Sequence, residues 1–335
     1  MRSRFTSELK SRFLAATGLL RASETAAAGA AILMYHGVFE KLRGDLLDEY
    51  CLTADDLRLH IRFLKSQGEI VSLRELIDRL RSGLVVPNDW FVITFDDALQ
   101  CQARLAREVL AAESVPWTLA VPTDVIELRR SVWNYEARTI VLTMGRDEML
   151  ALPGSPVRTL PLRTDNQRIA AASALVDRLA KVGDGGHRNE YLAQLVARIG
   201  LRRLGELMSD DGRFVSATWE EIRTLDREGV TIAAHGASHV LQHSGMDDEV
   251  LRREIHGSRE VLQQHLGRGP FAFVLPGGRR APHTDRFVRE AGYECCLGSR
   301  PARVVTGADL FDLPRFDAAF SLPTLRRHLC RNVTM

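Results

Sequence analysis

Residues 90–97 read WFVITFDD, and this stretch decides the fold. Trp90 to Phe95 is apolar at nearly every position, the pattern of a strand covered on both faces. Asp96 and Asp97 stand where that strand gives out. Two adjacent carboxylates there cannot both be buried without a partner, because an unpaired buried charge costs several kcal/mol. A divalent cation resolves the conflict: one carboxylate binds it and the other stays free to take a proton from water. The competing use of such aspartates is a helix N-cap.

The same rhythm extends in both directions. Ala31 to Val38 (AILMYHGV) reads as a buried strand closed by Gly37. Thr53 opens a helix with Leu57, Ile61 and Leu64 on one face, and Ser72 with Glu75 is a capping box. A helix is predicted from about Ala98 to Glu113, followed by a strand from Trp117 to Val121. Further on, Thr218 and Glu221 form a second capping box. Strands are predicted at Val230–Ala234, Phe271–Val274 and Tyr293–Leu297, with helices at 247–267 and 284–291 between them. Strand–helix alternation of this length means α/β architecture with a parallel sheet, open or closed into a barrel. Reactive residues then belong at the C-terminal ends of strands. Residues 127–215 break the pattern with helical stretches at Ile169–Lys181 and Glu190–Leu207 and no strand. They read as a helical insertion seated on the barrel.

Composition excludes several classes. The 335 residues carry 45 Lys and Arg against 43 Asp and Glu, a net charge of +2 with the basic residues spread throughout, so no nucleic-acid partner is expected. The five cysteines, at 51, 101, 295, 296 and 330, form no CxxC pair, which speaks for a reducing compartment. No apolar run approaches the ~18 residues of a membrane span. Residues 1–30 read as an N-terminal helical extension packed on the domain or resting on a membrane surface. The barrel domain takes 31–320, and 321–335 reads as a tail.

A second cluster lies at 235–239, His235-Gly236-Ala237-Ser238-His239, after the predicted strand Val230–Ala234. Histidines at i and i+4 share one face of a helical turn and can bind one cation. His239 with His243 is the formal competitor. Two histidines and one carboxylate leave coordination positions for water and substrate, as catalytic zinc requires; the set also suits non-haem iron. HExxH, GxSxG, a P-loop and a strand-linked GxGxxG are all missing.

MYHGV (34–38), TFDD (94–97), HGASH (235–239), FAFVLPGG (271–278), AGYECCLG (291–298) and LPRF (313–316) together resemble the polysaccharide deacetylases, the NodB-type enzymes of carbohydrate esterase family four, in the branch with an N-terminal YHxV motif. The resemblance implies a distorted parallel (β/α) barrel and a divalent cation, zinc first, with cobalt, manganese, nickel or iron as alternatives. It implies hydrolysis of an N-acetyl group on an amino sugar, with metal-bound water attacking the amide. By the same resemblance Asp97, His235 and His239 match the metal ligands and Asp96 the general base. His36 stands as general acid, with His328 the weaker alternative. Tyr35, Pro276, Gly277, Gly278 and Arg279 are expected to bind substrate.

Three positions depart from the family pattern. Val274 replaces the arginine that orients the base, leaving Arg315 or Arg279 to do so, with Arg315 preferred. The late Leu-x-His motif has no clean match. Ala98 replaces the glycine after the aspartates and is expected to narrow the entrance. Arg279, Arg280 and Arg286 either meet a phosphate or form a solvated basic face.

The expected function is removal of an N-acetyl group from an envelope polysaccharide or its lipid- or nucleotide-linked precursor. The enzyme is expected in the cytoplasm, with peripheral membrane contact. The alternatives are a deformylase or amidase acting on a non-sugar C–N bond, and a catalytically degenerate glycan-binding barrel.

Overall fold

The computed structural model describes residues 28–152, 155–181, 185–200, 212–318 and 321–330. The reading of residues 1–27 lies outside them, as do the far end of the predicted helix 190–207 and residues 331–335. β1 (Ala31–Tyr35) is followed by a short parallel pair, β2 (Gly37–Phe39) and β3 (Cys51–Thr53). The apolar run 31–38 is therefore two strands broken at His36. After β4 (Glu69–Ile70), β5 (Trp90–Phe95) and β6 (Thr118–Val121), the insertion holds β7 (Met149–Leu152) and β8 (Ser155–Pro161). β9 (Thr231–Ala234), β10 (Ala272–Val274), β11 (Cys295–Leu297) and β12 (Phe316–Asp317) complete the set.

The main sheet has the order β11-β10-β9-β6-β5-β1-β12, with β4 beside β5 and every neighbouring pair parallel. It curls until one segment touches both edges. Leu313 bridges Leu297 of β11, and Phe316 pairs with Leu33 of β1. The fold is thus a distorted parallel (β/α) barrel whose seam is residues 313–317.

Side chains alternate between the two faces of each strand. Ile32, Val92, Ala120, Ala233, Val274 and Leu297 form an inner cluster. Leu33, Tyr35, Ile93, Phe95, Leu119, Ile232 and Phe273 face outward, into the layer shared with the helices. Those helices are α1 (Ala54–Gln67), α2 (Leu73–Arg81), α3 (Arg107–Ala112) and α4 (Thr123–Glu127) before the insertion. The insertion contributes α5 (Trp133–Thr143), α6 (Asp165–Leu179) and α7 (Gly185–Ile199). After it come α8 (Trp219–Arg227), α9 (Asp248–Arg252), α10 (Ser258–Leu266), α11 (Thr284–Glu290) and α12 (Leu322–Cys330). Ser72–Glu75 and Thr218–Glu221 are reciprocal capping boxes, as their spacing predicts. Two helices contain a wide π turn, at Gln102–Ala106 before α3 and at Arg253–Gly257 between α9 and α10.

Two sequence expectations are corrected. The insertion is not wholly helical, because β7 and β8 form an antiparallel hairpin. The turn-rich Pro153-Gly154 stretch falls between those strands, outside the described residues. The insertion's apolar side is continuous with barrel residues: Trp133, Tyr135, Ile140 and Leu175 share a cluster with Leu99, Val125 and Leu241. Second, residues 322–330 of the expected tail form a packed helix. α12 packs Leu325 (0% exposed) and Leu329 into the main core. Among the described residues no helix is long and apolar enough to cross a membrane, and Cys51, Cys101, Cys295 and Cys296 form no disulfide with one another.

Leu325→Ala is expected to cost about 2–5 kcal/mol, the range for emptying a buried leucine site. Urea unfolding checks it: an unchanged midpoint is the result for a helix that adds nothing to the core.

Candidate metal centre

The parity of β5 puts Val92, Thr94 and then Asp96 on the inner face. Continued as a strand, the chain would turn Asp97 outward. Instead Asp97 has φ +77° and Ala98 φ +46°, left-handed values that non-glycine residues seldom adopt. The chain turns at once, and both carboxylates reach the same place. Gln102, in the π turn, holds this corner: its Nε2 donates to the carbonyls of Asp96 (2.6 Å) and His36 (3.0 Å), and its Oε1 accepts from Leu99 N–H (2.9 Å).

HGASH is not the helical turn its spacing suggests. It is a loop after β9 with left-handed residues at Gly236 (φ +73°) and His239 (φ +56°). Glu254 of the second π turn pins it. Its Oε2 accepts from the N–H groups of Ala237 (3.0 Å) and Ser238 (2.9 Å), and its Oε1 from Ser238 Oγ (2.6 Å). His235 Nδ1 lies 2.8 Å from the Val274 carbonyl, so Nδ1 carries the proton and Nε2 is left with a free lone pair. From the insertion, Trp133 Nε1 donates to the His239 carbonyl at 2.8 Å.

The two loops converge on Asp97. Its Oδ1 lies 3.0 Å from His239 Nε2 and 3.5 Å from His235 Nε2. One ligand atom from each of Asp97, His235 and His239 falls within a 4.8 Å cluster. Asp97 Oδ2 accepts from the Tyr135 hydroxyl at 2.6 Å, whereas Oδ1 is buried and accepts no well-formed hydrogen bond. A carboxylate and two imidazoles with an orphaned oxygen between them fit a divalent cation, both in donor type and in what is left unsatisfied. Burial works against the Asp97 charge, but His239 and His235 beside it hold its carboxyl well below the usual range. Burial also depresses His239. For His235 the charges of Asp96 and Asp97 outweigh burial and raise it.

Asp96 sits 3.9 Å from His235 Nε2 and is 3% exposed. Arg315, wholly buried in the seam, grips it bidentately: Nη1 to Oδ1 at 2.7 Å and Nη2 to Oδ2 at 2.8 Å. Two further guanidinium donors go to the Gly298 carbonyl (2.7 Å) and Thr94 Oγ1 (3.0 Å). Burial would push Asp96 up; the Arg315 charge, with smaller help from His235, holds it below the ordinary carboxylate value. Where the family pattern has an arginine, Val274 is buried in the inner cluster, and a guanidinium reaches Asp96 from the seam just before β12.

Several expected residues lie elsewhere. Tyr35 belongs to the outward face of β1, stacked on Phe95 (centroids 5.2 Å) with its hydroxyl 3.4 Å from His60 Nδ1. It is 0% exposed, so it cannot bind substrate. The Ala98 methyl is also fully buried and lines no entrance. Arg279 is paired on the surface with Asp177 of α6 at 2.7 Å, far from any role at Asp96. Arg280 pairs with Asp285 and Asp312, and Arg286 with Asp248, so the three arginines form a solvated, neutralised face. Pro276 is buried against the HGASH loop. Gly277 and Gly278 have positive φ, and their close approach is to the protein itself. A Cβ at Gly277 would stand 2.8 Å from Leu241 Cδ2, and one at Gly278 would fall on Ser299 Oγ.

His36 is half-buried, with its ring 5.5 Å from that of Tyr50 and no hydrogen bond to its Nδ1. Its charge is felt at both Asp96 and Asp97. His243 turns away, its Nδ1 accepting from Gly245 N–H. His328 lies on α12, 3.4 Å from the Asp317 carbonyl. The sequence reading missed Gln102, Glu254, Trp133 and Tyr135. For the first two a signal existed: a polar residue falling on the buried face of a helix just after each reactive loop.

A search of curated proteins gives no match. Among solved structures the chain is similar in fold to the Streptococcus pyogenes deacetylase PplD in complex with acetate, at 14% identity and TM-score 0.57, over 92% of this chain and 100% of that one. IcaB from Ammonifex degensii gives 16% and 0.57, over 91% and 98%. A de-N-acetylase from Aggregatibacter actinomycetemcomitans gives 15% and 0.54, over 89% and 99%. Residues 210–296, which carry the HGASH loop, the π turn and the PGG segment, match the polysaccharide deacetylase family model. The resemblance to the polysaccharide deacetylases is thus borne out, by that match and by a barrel with the fold of solved deacetylases around it.

Proposed function

We propose that the chain is a metal-dependent hydrolase that removes an N-acetyl group from an amino sugar of an envelope polysaccharide or its lipid- or nucleotide-linked precursor. The observation that carries this reading is the pairing of two unlike aspartates. Asp97 faces two imidazoles with an unsatisfied oxygen, and Asp96 beside it is locked by Arg315. The names of the fold relatives support acetyl as the acyl group, since one is a deacetylase solved with acetate and another a de-N-acetylase.

Asp97, His235 and His239 would hold the cation, which when bound supplies Lewis acidity, acidifying water and polarising a carbonyl. Asp96 accepts the proton of the attacking water. Its Oδ2 is the oxygen nearer His235, and Arg315 fixes the carboxylate plane. The same guanidinium keeps Asp96 ionised across the neutral range, so the base is ready in every molecule. The proton is then free to pass onward, because a weak base holds it loosely. Cleavage of the C–N bond leaves an amine that needs a proton, and His36, half-exposed beside the two aspartates, is its donor. Near-complete burial of Asp96, Asp97, His235 and His239 removes competing water and strengthens each of these interactions. Of the neighbouring side chains His36, Tyr50 and Ser238 keep partial exposure, and substrate enters on their side.

The test is acetate release from N-acetylated sugar oligomers and lipid-linked amino sugars. Metal-stripped protein is expected to be inactive, zinc or cobalt to restore release, and His239→Ala to abolish it. Tight metal binding with no release from any acetylated sugar would sink the deacetylase reading and favour a non-sugar amide or a binding role. Asp96→Asn is expected to lower turnover by about 10²–10⁴-fold, the usual worth of a general base. The cation should still bind it, measured by metal content after dialysis.

A further inference from the structure

Helix α5 of the insertion sends two side chains into the metal centre. The Tyr135 hydroxyl donates to Asp97 Oδ2 at 2.6 Å, and the Trp133 indole N–H donates to the His239 carbonyl at 2.8 Å. Both residues are buried, 1% and 4% exposed. Both rings are clamped as well. Tyr135 stacks on Phe214 with centroids 4.2 Å apart and planes 17° from parallel, and the Arg188 guanidinium lies 4.7 Å from the Trp133 ring centre.

The two oxygens of Asp97 therefore have different tasks. Oδ2 is spent on a phenol, and Oδ1 alone faces the two imidazole nitrogens. We infer that Tyr135 is a positioning residue for the metal centre: its hydroxyl fixes the rotation of the Asp97 carboxylate so that one oxygen is presented to the cation, and α5 thereby sets how tightly the barrel holds it. This rests on the metal-dependent reading above and adds to it a role for the insertion.

The physical argument concerns a soft torsion. The terminal torsion of an aspartate is broad, so a carboxylate without a second partner can offer either oxygen or both. An oxygen that swings in to make a second bond takes a position that water or substrate needs. A buried hydrogen bond to the outer oxygen removes that freedom. Trp133 does the equivalent for the other loop, by anchoring the carbonyl of His239, whose backbone is left-handed. Groups that hold ligands in this way typically contribute roughly ten- to a hundredfold to metal affinity.

Tyr135→Phe is the decisive variant, since phenylalanine keeps the stack on Phe214 and deletes only the hydroxyl. Metal-free wild type, Tyr135→Phe, Trp133→Phe and His239→Ala would be compared for zinc dissociation constant by chelator competition, for the visible absorption bands of the cobalt-loaded protein, and for thermal midpoint without metal. The expected result is a Tyr135→Phe protein with a near-native metal-free midpoint, zinc affinity weakened by roughly ten- to a hundredfold, and altered cobalt bands. Trp133→Phe should weaken affinity in the same direction. Wild-type affinity and unchanged cobalt bands in Tyr135→Phe overturn the inference while leaving the metal reading standing. If Tyr135→Phe does not fold, Trp133→Phe decides, and native affinity there overturns the control by α5. If wild type binds zinc no better than His239→Ala, the metal reading falls and the inference with it.

Discussion

The bidentate pair between Arg315 and Asp96 is the interaction on which the rest of the structure depends. It joins the end of β5 to the seam of the barrel, deep inside, with Arg315 wholly buried and Asp96 nearly so. A buried ion pair is no automatic gain, because stripping water from two charges costs several kcal/mol per ion before they attract each other. Here every guanidinium direction that matters is used, on two carboxylate oxygens, one carbonyl and one hydroxyl. Breaking it by removing one partner leaves a bare charge in the core, a loss of about 3–5 kcal/mol. Closure of the seam and placement of Asp96 therefore rest on the same four hydrogen bonds.

Much of this was legible in the sequence, for definite reasons. Trp90–Phe95 is a strand over its predicted span, because an unbroken apolar run bounded by aspartates has few other uses. The two capping boxes start their helices at the expected residues, since the motif is local. Asp96, Asp97, His235, His239 and Arg315 do come together, because strand ends in a parallel barrel share one rim. Tyr35 lies away from the site because strand parity puts it on one face with Ala31 and Leu33, toward the helices. The left-handed backbone at Asp97, Ala98 and His239 was not legible, since none of these is glycine and each is held there by contacts distant in sequence. Tyr135 and Trp133 were invisible for the same reason. Nothing near either in sequence says that its polar atom will meet a loop 38 or 106 residues away.

The insertion changes meaning once its contacts are seen. Its core runs without a break into Leu99, Val125 and Leu241, residues that flank the reactive loops. Arg279 on the PGG turn pairs with Asp177 of α6, tying a second rim element to it. Two π turns supply the other supports, placing Gln102 and Glu254 under the aspartate and histidine loops. A π turn inserts one extra residue into a helix and rotates the next turn about the axis, which suits aiming a polar side chain at a loop's backbone. Each reactive loop is thus held from below by a barrel helix and from above by the insertion or the seam.

The seam has a consequence in time. Arg315 and Asp96 lie 219 residues apart in the chain. At a synthesis rate of about 5–20 residues per second, β5 emerges on the order of tens of seconds before the strand that closes on it. All three residues of the candidate cation site exist by residue 239, so a growing chain has them long before Asp96 is held by Arg315. Contacts of such sequence separation also form late in folding, because the entropy of closing the loop must be met first. The grip on Asp96 is therefore among the last contacts this chain can make, and a chain cut short before residue 315 carries the Asp97, His235 and His239 cluster with Asp96 left unheld.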